Sequence, residues 1–400
     1  MANLKLDLPF WEGFLVSNLE RRQEATWITL DHDPAVAPSC SGCGCPSAQV
    51  HETVWRTIRD MPMLGDPVWL QVPLRRIRCD GCGARVERVG WLDRHARMTR
   101  RLADFVALWC EKLAVAHVCK LSGLHWETVR KIDRQRLERR LAAVPEARPT
   151  RLVMDEFALF KGHRYATVVL DAETRRVLWV GEGRSREAIR PFFEWLGPER
   201  CARIEAVAMD MNTAYDLEVQ MHCSKARVVY DLFHVIAKYG REVIDRVRVD
   251  EANRHRQDLP MRRVVKRARW LLLRNRENVP EAQQPKLDEL LAANQALMTV
   301  YVMKASLKEL WHATSAWQWR KAWRTWLRMA RSSDIEPLRK FANKLAHYWR
   351  GIVARVRWPM HTGQLEGINN RIKVMKRIAY GYRDSAFFFL KIKAAFPGNP

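Results

Sequence analysis

From Arg151 the chain reads RLVMDEFALFKGHRYATVVLDAETRRVLWV (residues 151–180), and this stretch decides the fold. Leu152-Val153-Met154 is a short apolar strand that leads into Asp155. Tyr165 to Leu170 and Val177 to Val180 are two further strands, and Asp171-Ala172-Glu173-Thr174 between them has the residues of a hairpin turn. The period then changes. A helix is expected over about Glu187 to Leu196 and a strand over Ile204 to Met209, ending at Asp210. A helix from about Ala214 to His222 and a strand from Arg227 to Tyr230 follow.

Three strands, helix, strand, helix, strand is the order of an RNase H-like core of mixed sheet and flanking helices. Beyond it, residues 232–355 are almost wholly helical in pattern and rich in Arg, Lys and Trp. Trp317, Trp319, Trp323 and Trp326 crowd one short stretch, which suits a packed helical subdomain at least as well as a DNA grip. From His361 the chain is loop-like, then enters a helix carrying Glu366, Asn369, Asn370, Lys373 and Lys376.

Upstream, residues 1–95 hold paired cysteines among short apolar runs, with Val68 to Ile77 read as a strand. Cys40-Ser41-Gly42-Cys43 and Cys79-Asp80-Gly81-Cys82 are two C-x-x-C knuckles. Each can place two thiolates on one tetrahedral ion, so Cys40, Cys43, Cys79 and Cys82 together make a closed structural Zn2+ site. Cys45 is a possible substitute ligand, and reduced free thiols or a redox pair are the alternative. Cys110, Cys119, Cys201 and Cys223 stand singly and read as buried core residues.

Between about 100 and 145 the apolar spacing is helical. Leu102, Phe105, Val106, Trp109 and Leu113 repeat, then come a helix around Val115 to Leu121, a break at Ser122-Gly123, and a helix from about Trp126 to Arg140. This is the spacing of a helix-turn-helix, with Ala116, Leu121, Leu124, Val129 and Ile132 facing inward. His125, Trp126, Thr128, Arg130 and Lys131 would then face a DNA major groove; an ordinary helical hairpin has similar spacing. Pro145 and Pro149 mark a linker.

Composition narrows the partners. Lys and Arg number 69 against 45 for Asp and Glu, a formal charge of +24, and a polyanion is the natural partner of such an excess. The N-terminus has no signal-peptide pattern and no stretch nears the roughly 20 apolar residues of a membrane span, so a cytoplasmic protein without a membrane partner is expected.

Carboxylates at strand ends project from rigid elements into a cleft. Asp155, Asp210 and the helical Glu366 could share divalent ions, for which oxygen ligands select Mg2+ or Mn2+. Two such ions about 4 Å apart promote in-line displacement at phosphorus. Asp231 and Asp171 also end apparent strands, so spacing alone does not select the set.

The ordered motifs resemble bacterial insertion-sequence transposases of the ISL-three type, a DDE family. The resemblance rests on Arg75-Arg76-Ile77-Arg78-Cys79-Asp80-Gly81-Cys82-Gly83 and the helix-turn-helix. It rests also on Met154-Asp155-Glu156-Phe157, Val207-Ala208-Met209-Asp210-Met211 with Tyr215, and Asp231-Leu232-Phe233-His234-Val235. Most specific is Glu366-Gly367-Ile368-Asn369-Asn370-Arg371-Ile372-Lys373 with Lys376-Arg377 and Gly381-Tyr382. The resemblance implies that Asp155, Asp210 and Glu366 are the catalytic triad, using two Mg2+ or Mn2+ ions, and that Asp231, Phe233 and His234 lie near and support the active site, His234 being otherwise a hydrogen-bonded structural histidine. It further implies that Asn370, Lys373 and Arg377 can touch DNA phosphates, a solvated basic face being the alternative, and that the helical stretch between Asp231 and Glu366 is an insertion in the core.

The fold class expected is therefore multidomain α+β. It comprises a zinc-binding domain (1–95), a helix-turn-helix (96–148), an RNase H-like α/β catalytic core (149–238), an all-helical insertion (239–355) and the last part of the core (356–400). The expected function is transposition: binding an element's terminal inverted repeats, cutting, and joining to target DNA, as a homodimer or higher assembly. The alternatives are a regulatory or domesticated DNA-binding protein without catalysis, and a tyrosine recombinase. The last lacks its Arg-His-x-x-Arg pattern here, although Tyr380 and Tyr382 are available.

Overall fold

The computed structural model describes residues 6–47 and 49–399; the first five residues, part of the N-terminus read above, lie outside them. The chain divides into two compact units, Met1–Ala143 with Val374–Leu390, and Val144–Lys373 with Lys391–Pro400. The tail expected to rejoin the core in one piece is thus split. The reason is apolar: Phe387 and Phe388 are buried, and Tyr382 stacks on Phe388 at 4.3 Å within the first unit. No helix among the described residues is long and apolar enough to cross a membrane.

The first unit opens with six strands: β1 (Leu6–Asp7), β2 (Phe14–Arg22), β3 (Ala25–His32), β4 (Val50–Met63), β5 (Asp66–Cys79) and β6 (Gly83–Val86). They form one sheet of order β1-β2-β3-β5-β4, with β6 paired to β5. Alternating residues Ile28, Leu30, Leu70 and Val72 fill its core. Helices follow at Arg100–Lys112, Val115–Ser122 and Trp126–Ala142, packed on Leu102, Val106, Cys110, Val118 and Val129.

The inward set of the second of these helices differs from the sequence reading. Ala116 and Leu121 are exposed, and Val118 and Ser122 are buried in their place. Ser122 tolerates the core because its hydroxyl donates to Val118 O at 2.7 Å and accepts from Leu124 N at 3.3 Å. Gly123 then takes a left-handed conformation (φ 66°) that ends the helix. Cys119, read as core, is only half-buried.

Asp60 ties this sheet to the helices. It is fully buried and accepts from Trp11 Nε1 at 2.9 Å, Thr99 Oγ1 at 2.6 Å, Arg101 Nε at 2.8 Å and Met61 N at 2.7 Å. Burial alone would raise its pKa, but the bonds from Arg101 and Thr99 outweigh burial and hold it below the usual carboxylate range. The stabilisation is therefore present above the unfolded-state value near ~3.9 and is lost as pH falls through the folded value. Asp60→Asn is expected to destabilise this unit by about 3 kcal/mol at pH 7, because it leaves Arg101 with an uncompensated charge. Thermal unfolding at pH 7 and at pH 3.5 checks this: the gap between wild type and variant should shrink at the lower pH, and equal gaps would count against it.

The second unit is built on β7 (Arg151–Phe160), β8 (Arg164–Asp171), β9 (Val177–Glu182), β10 (Ala206–Met209) and β11 (Arg227–Tyr230). Their order is β11-β10-β7-β8-β9, with β7, β10 and β11 parallel and β8 antiparallel to both its neighbours. The expected helices lie at Arg186–Leu196 and Thr213–His222. β10 is buried along its whole length, as a central strand covered on both faces must be.

From Leu232 to Ala354 every element is helical, with a π-helical turn at Gly240–Ile244. The tryptophans of helix Ala316–Ser332 are mostly structural. Trp319, Trp323 and Trp326 are buried and stacked, with centroids 5.1 and 6.0 Å apart, and Trp326 Nε1 donates to Met303 O. Trp317 alone of the group is exposed. These rings belong to the same apolar core as Leu152, Met154 and Val207 of the sheet, so the helical segment and the sheet share one interior.

Candidate active site

Backbone register brings two acids together. β10 pairs with β7 as Ala206↔Arg151, Val207↔Leu152 and Ala208↔Val153, and with β11 as far as Met209↔Tyr230. Extending the first ladder by two residues sets Asp210 beside Asp155. Extending the second by one sets Asp231 beside Asp210. Asp155 does not end its strand, as the sequence suggested, but lies midway along β7. What ends there is the pairing with β10, and this opens a cleft at the carboxyl ends of the parallel strands.

The cleft has a volume of about 980 Å³ and is lined by Asp155, Asp210, Asp231, His234 and Glu366, among others. Glu366 comes from helix Gly363–Ile378, which is seated by its buried Leu365, Ile368 and Ile372. Asn369, one turn on and on the same face as Glu366, donates from Nδ2 to Asp155 Oδ2 at 2.9 Å. Asn370 and Lys373 also line the cleft. Arg377 is exposed on the same helix, in the stretch grouped with the first unit.

Hydrogen bonding separates the competing aspartates. Asp231 caps helix Leu232–Tyr239 by accepting from Phe233 N at 3.0 Å, and its other oxygen accepts from Thr362 N at 2.8 Å and from the Thr362 hydroxyl. Both its oxygens are engaged in holding two segments of the site. Asp171 is likewise spent on Glu173 N and Thr174 Oγ1 in the β8–β9 turn. By contrast, Asp210 Oδ1 is buried without a hydrogen-bond partner, as are Glu156 Oε2 and Asn369 Oδ1. Three such oxygens lining one cleft fit a cation that seeks oxygen ligands.

The electrostatics agree with that fit. Burial pushes the Asp155 carboxyl up to about 6, with Asp210 and Asp231 adding to the rise and His234 opposing it. Burial also raises Asp210, against His234, Lys238 and Arg184. Glu156 is pushed up to about 7 by burial and then by Asp210 and Asp155. Crowded carboxylates with raised pKa values favour any added positive charge.

Glu156, Arg184, Thr362 and Asn369 were not singled out from sequence. Strand alternation turns Glu156 away from Asp155, yet both line the cleft, because β7 has lost its β10 neighbour beyond Val153. Arg184 lies 3.5 Å from Glu156. The sequence signals available were the adjacency of Asp155 and Glu156 and the place of Asn369 three residues after Glu366 on one helix.

In the first unit, the sulfurs of Cys40, Cys43, Cys79 and Cys82 all lie within 4.8 Å of one another. Cys45 is exposed and outside the group. Gly42 suits the tight space, since a Cβ there would sit 3.0 Å from Cys82 Sγ and press on it. The N–H groups of Cys43 and Gly42 hold the Cys40 thiol down to about 6, whereas Cys43 and Cys40 push Cys82 up to about 12. Without a cation the four sulfurs resist sharing negative charge, and four sulfurs at this spacing suit a structural zinc.

At the helix-turn-helix, His125 caps helix Trp126–Ala142, and His125, Trp126 and Lys131 are exposed. Thr128 is half-buried. Arg130 is not free for DNA as expected: its guanidinium is paired with Asp384 and packed over Trp126 at 5.3 Å and Phe387 at 5.6 Å. No local pattern marks this pair, because Asp384 lies 254 residues away in the chain.

Comparison with known proteins finds three family matches along the chain. Residues 152–392 match a family described as transposase, residues 37–82 the zinc finger of transposases IS204/IS1001/IS1096/IS1165, and residues 87–137 the helix-turn-helix domain of transposase family ISL3. The chain belongs to the ISL3 family of DDE transposases of insertion sequences. It is 51% identical over 393 residues to the transposase for insertion sequence element IS1001 of Bordetella parapertussis, covering 97% of each chain. It is 27% identical over 340 residues to the transposase for IS1557 of Mycobacterium tuberculosis, covering 79% of this chain and 76% of that one.

Proposed function

We propose that this transposase binds the terminal inverted repeats of its element and performs strand cleavage and strand transfer at Asp155, Asp210 and Glu366. The observation that carries the reading is the parallel register that sets Asp155 beside Asp210, in a cleft that Glu366 also lines. The strand order β11-β10-β7-β8-β9 supports an RNase H-like core at 149–238, completed by the helix that carries Glu366, with 239–355 as its helical insertion. The N-terminal regions 1–95 and 96–148 are then the zinc-binding and end-reading domains.

Two Mg2+ or Mn2+ ions, when bound, would activate the attacking oxygen and stabilise the leaving one. The protein's own part is to hold the ligands. Asn369 orients Asp155, while Asp231 pins the Glu366 segment through Thr362. His234 offsets the negative charge of Asp155, Asp210 and Asp231. His125, Trp126, Thr128 and Lys131 are the groups offered to the DNA end, and Asn370, Lys373 and Arg377 to phosphates. Arg130 shapes that surface through Asp384 and touches DNA only as part of it. Synapsis of two ends calls for a homodimer or larger assembly, working on DNA in the bacterial cytoplasm.

The test is cleavage and joining of DNA carrying the element's ends by purified protein. Mg2+ or Mn2+ is expected to give 3′-hydroxyl ends joined to target, and omission of both ions, with the structural zinc left in place, to abolish them. Sequence-specific end binding with no cutting in either metal would favour the domesticated or regulatory binder. A covalent protein–DNA product would favour the tyrosine recombinase.

A further inference from the structure

Phe233 sits on the wall of the catalytic cleft with 67% of its surface exposed. Helix Leu232–Tyr239 buries Val235 and Tyr239 in the core, and its outward face would ordinarily carry polar side chains. A ring this exposed in a cleft of carboxylates and cations adds nothing to the core. Its backbone is nevertheless fixed, because Phe233 N donates to Asp231, and Asp231 is in turn held by Thr362. The ring meets His234 at a right angle, with centroids 5.5 Å apart, and its exposure leaves ring surface free for a further stack.

The helical segment adds Arg241, Lys308 and Arg355 to the same cleft. None of the three is engaged by a carboxylate among the described residues. Cations of this kind suit a phosphate backbone, and an exposed aromatic ring beside them suits a base. A base inside a duplex is already covered on both faces, so only an unstacked one can use the ring.

We infer that Phe233 is a stacking platform for an unpaired nucleobase adjoining the phosphate that is cut, with Arg241, Lys308 and Arg355 holding that strand's backbone. The inference rests on the cleft being the DNA-cleaving site. It adds that the end must be frayed or a base extruded for the strand to seat.

The full-length protein is tested on end DNA carrying an unpaired 2-aminopurine next to the cleavage position, without added Mg2+ or Mn2+ and without chelator, so that binding is read without cutting and the structural zinc is kept. Wild type and Phe233→Trp are expected to quench the probe by stacking, and Phe233→Ala to leave it bright as in unstacked DNA. In Mg2+, Phe233→Ala is expected to cut fully paired ends about 5- to 150-fold more slowly, the range that one base–aromatic stack represents. A mismatch at the flanking pair should reduce that deficit to within a few-fold. Equal quenching by wild type and Phe233→Ala overturns the inference, as does an equal deficit on paired and mismatched ends. Absence of cutting by wild type would count against the active-site reading alone, since the fluorescence comparison still decides the role of Phe233. An unchanged melting temperature for Phe233→Ala, expected of so exposed a ring, excludes misfolding.

Discussion

Glu366→Gln is expected to reduce strand cleavage and excision by at least about a thousandfold, a barrier rise of about 4 kcal/mol, while end binding stays intact. The substitution keeps the shape of the side chain and removes the charge that a divalent cation needs. Glu366 is exposed, so the loss cannot be attributed to a disturbed core. The informative comparison is with Glu156→Gln, because Glu156 lines the same cleft and is the rival third carboxylate. Glu156 has Arg184 beside it and a raised pKa from burial, so part of its charge is already balanced or protonated. Removing that charge is expected to cost much less. Excision of a marked element in cells, together with end binding of the purified variants, measures both. If Glu156→Gln is inactive and Glu366→Gln is active, the third ligand has been misassigned.

Cys79→Ser is expected to strip the zinc and unfold the knuckle region. The segment around Cys40 and Cys43 has little apolar packing to hold it: its small cluster consists of Cys40, Ile77 and Cys79, with Cys82 packed alongside. A structural zinc site contributes on the order of 10–16 kcal/mol of binding free energy that exists only in the folded state. Losing one thiolate forfeits most of it. Zinc content per chain should fall from about one ion to near zero, and proteolysis should open residues 38–47 first. Wild-type protein purified without zinc, or a variant that keeps both its metal and its resistance to protease, would falsify the assignment. The carboxylate cleft shares no residue with this site.

Much of this was legible in the sequence, for reasons that differ by element. The strand Arg227–Tyr230 was read to the residue and the helix Arg186–Leu196 to within one position, because period and flanking residues agree there. The first helix of the helix-turn-helix was misoriented, since Ser122 is polar and only its bond to Val118 O qualifies it for the core. Asp155 and Asp210 were visible as acids near strands, and Glu366 as an acid on a late helix within a motif of the family resembled. What separates Asp210 from Asp231 and Asp171 is which oxygens are already hydrogen-bonded, and no spacing rule carries that. Glu156, Asn369 and Thr362 were hidden because they join the site through contacts between distant segments. Asp384 at Arg130 was hidden for the same reason.

The pairing of Ala206–Ala208 with Arg151–Val153 has a consequence for how copies of such an element decay. The two aspartates are spaced by main-chain hydrogen bonds, which any apolar side chains of similar size leave undisturbed. Substitutions along β7 and β10 can therefore accumulate with little penalty. One inserted or deleted codon between Arg151 and Asp155, or between Ala206 and Asp210, turns an acid to the opposite side of the sheet. The gene is thus tolerant of spelling and intolerant of length at these two places, and an inactivated copy can retain every acidic residue in its motif.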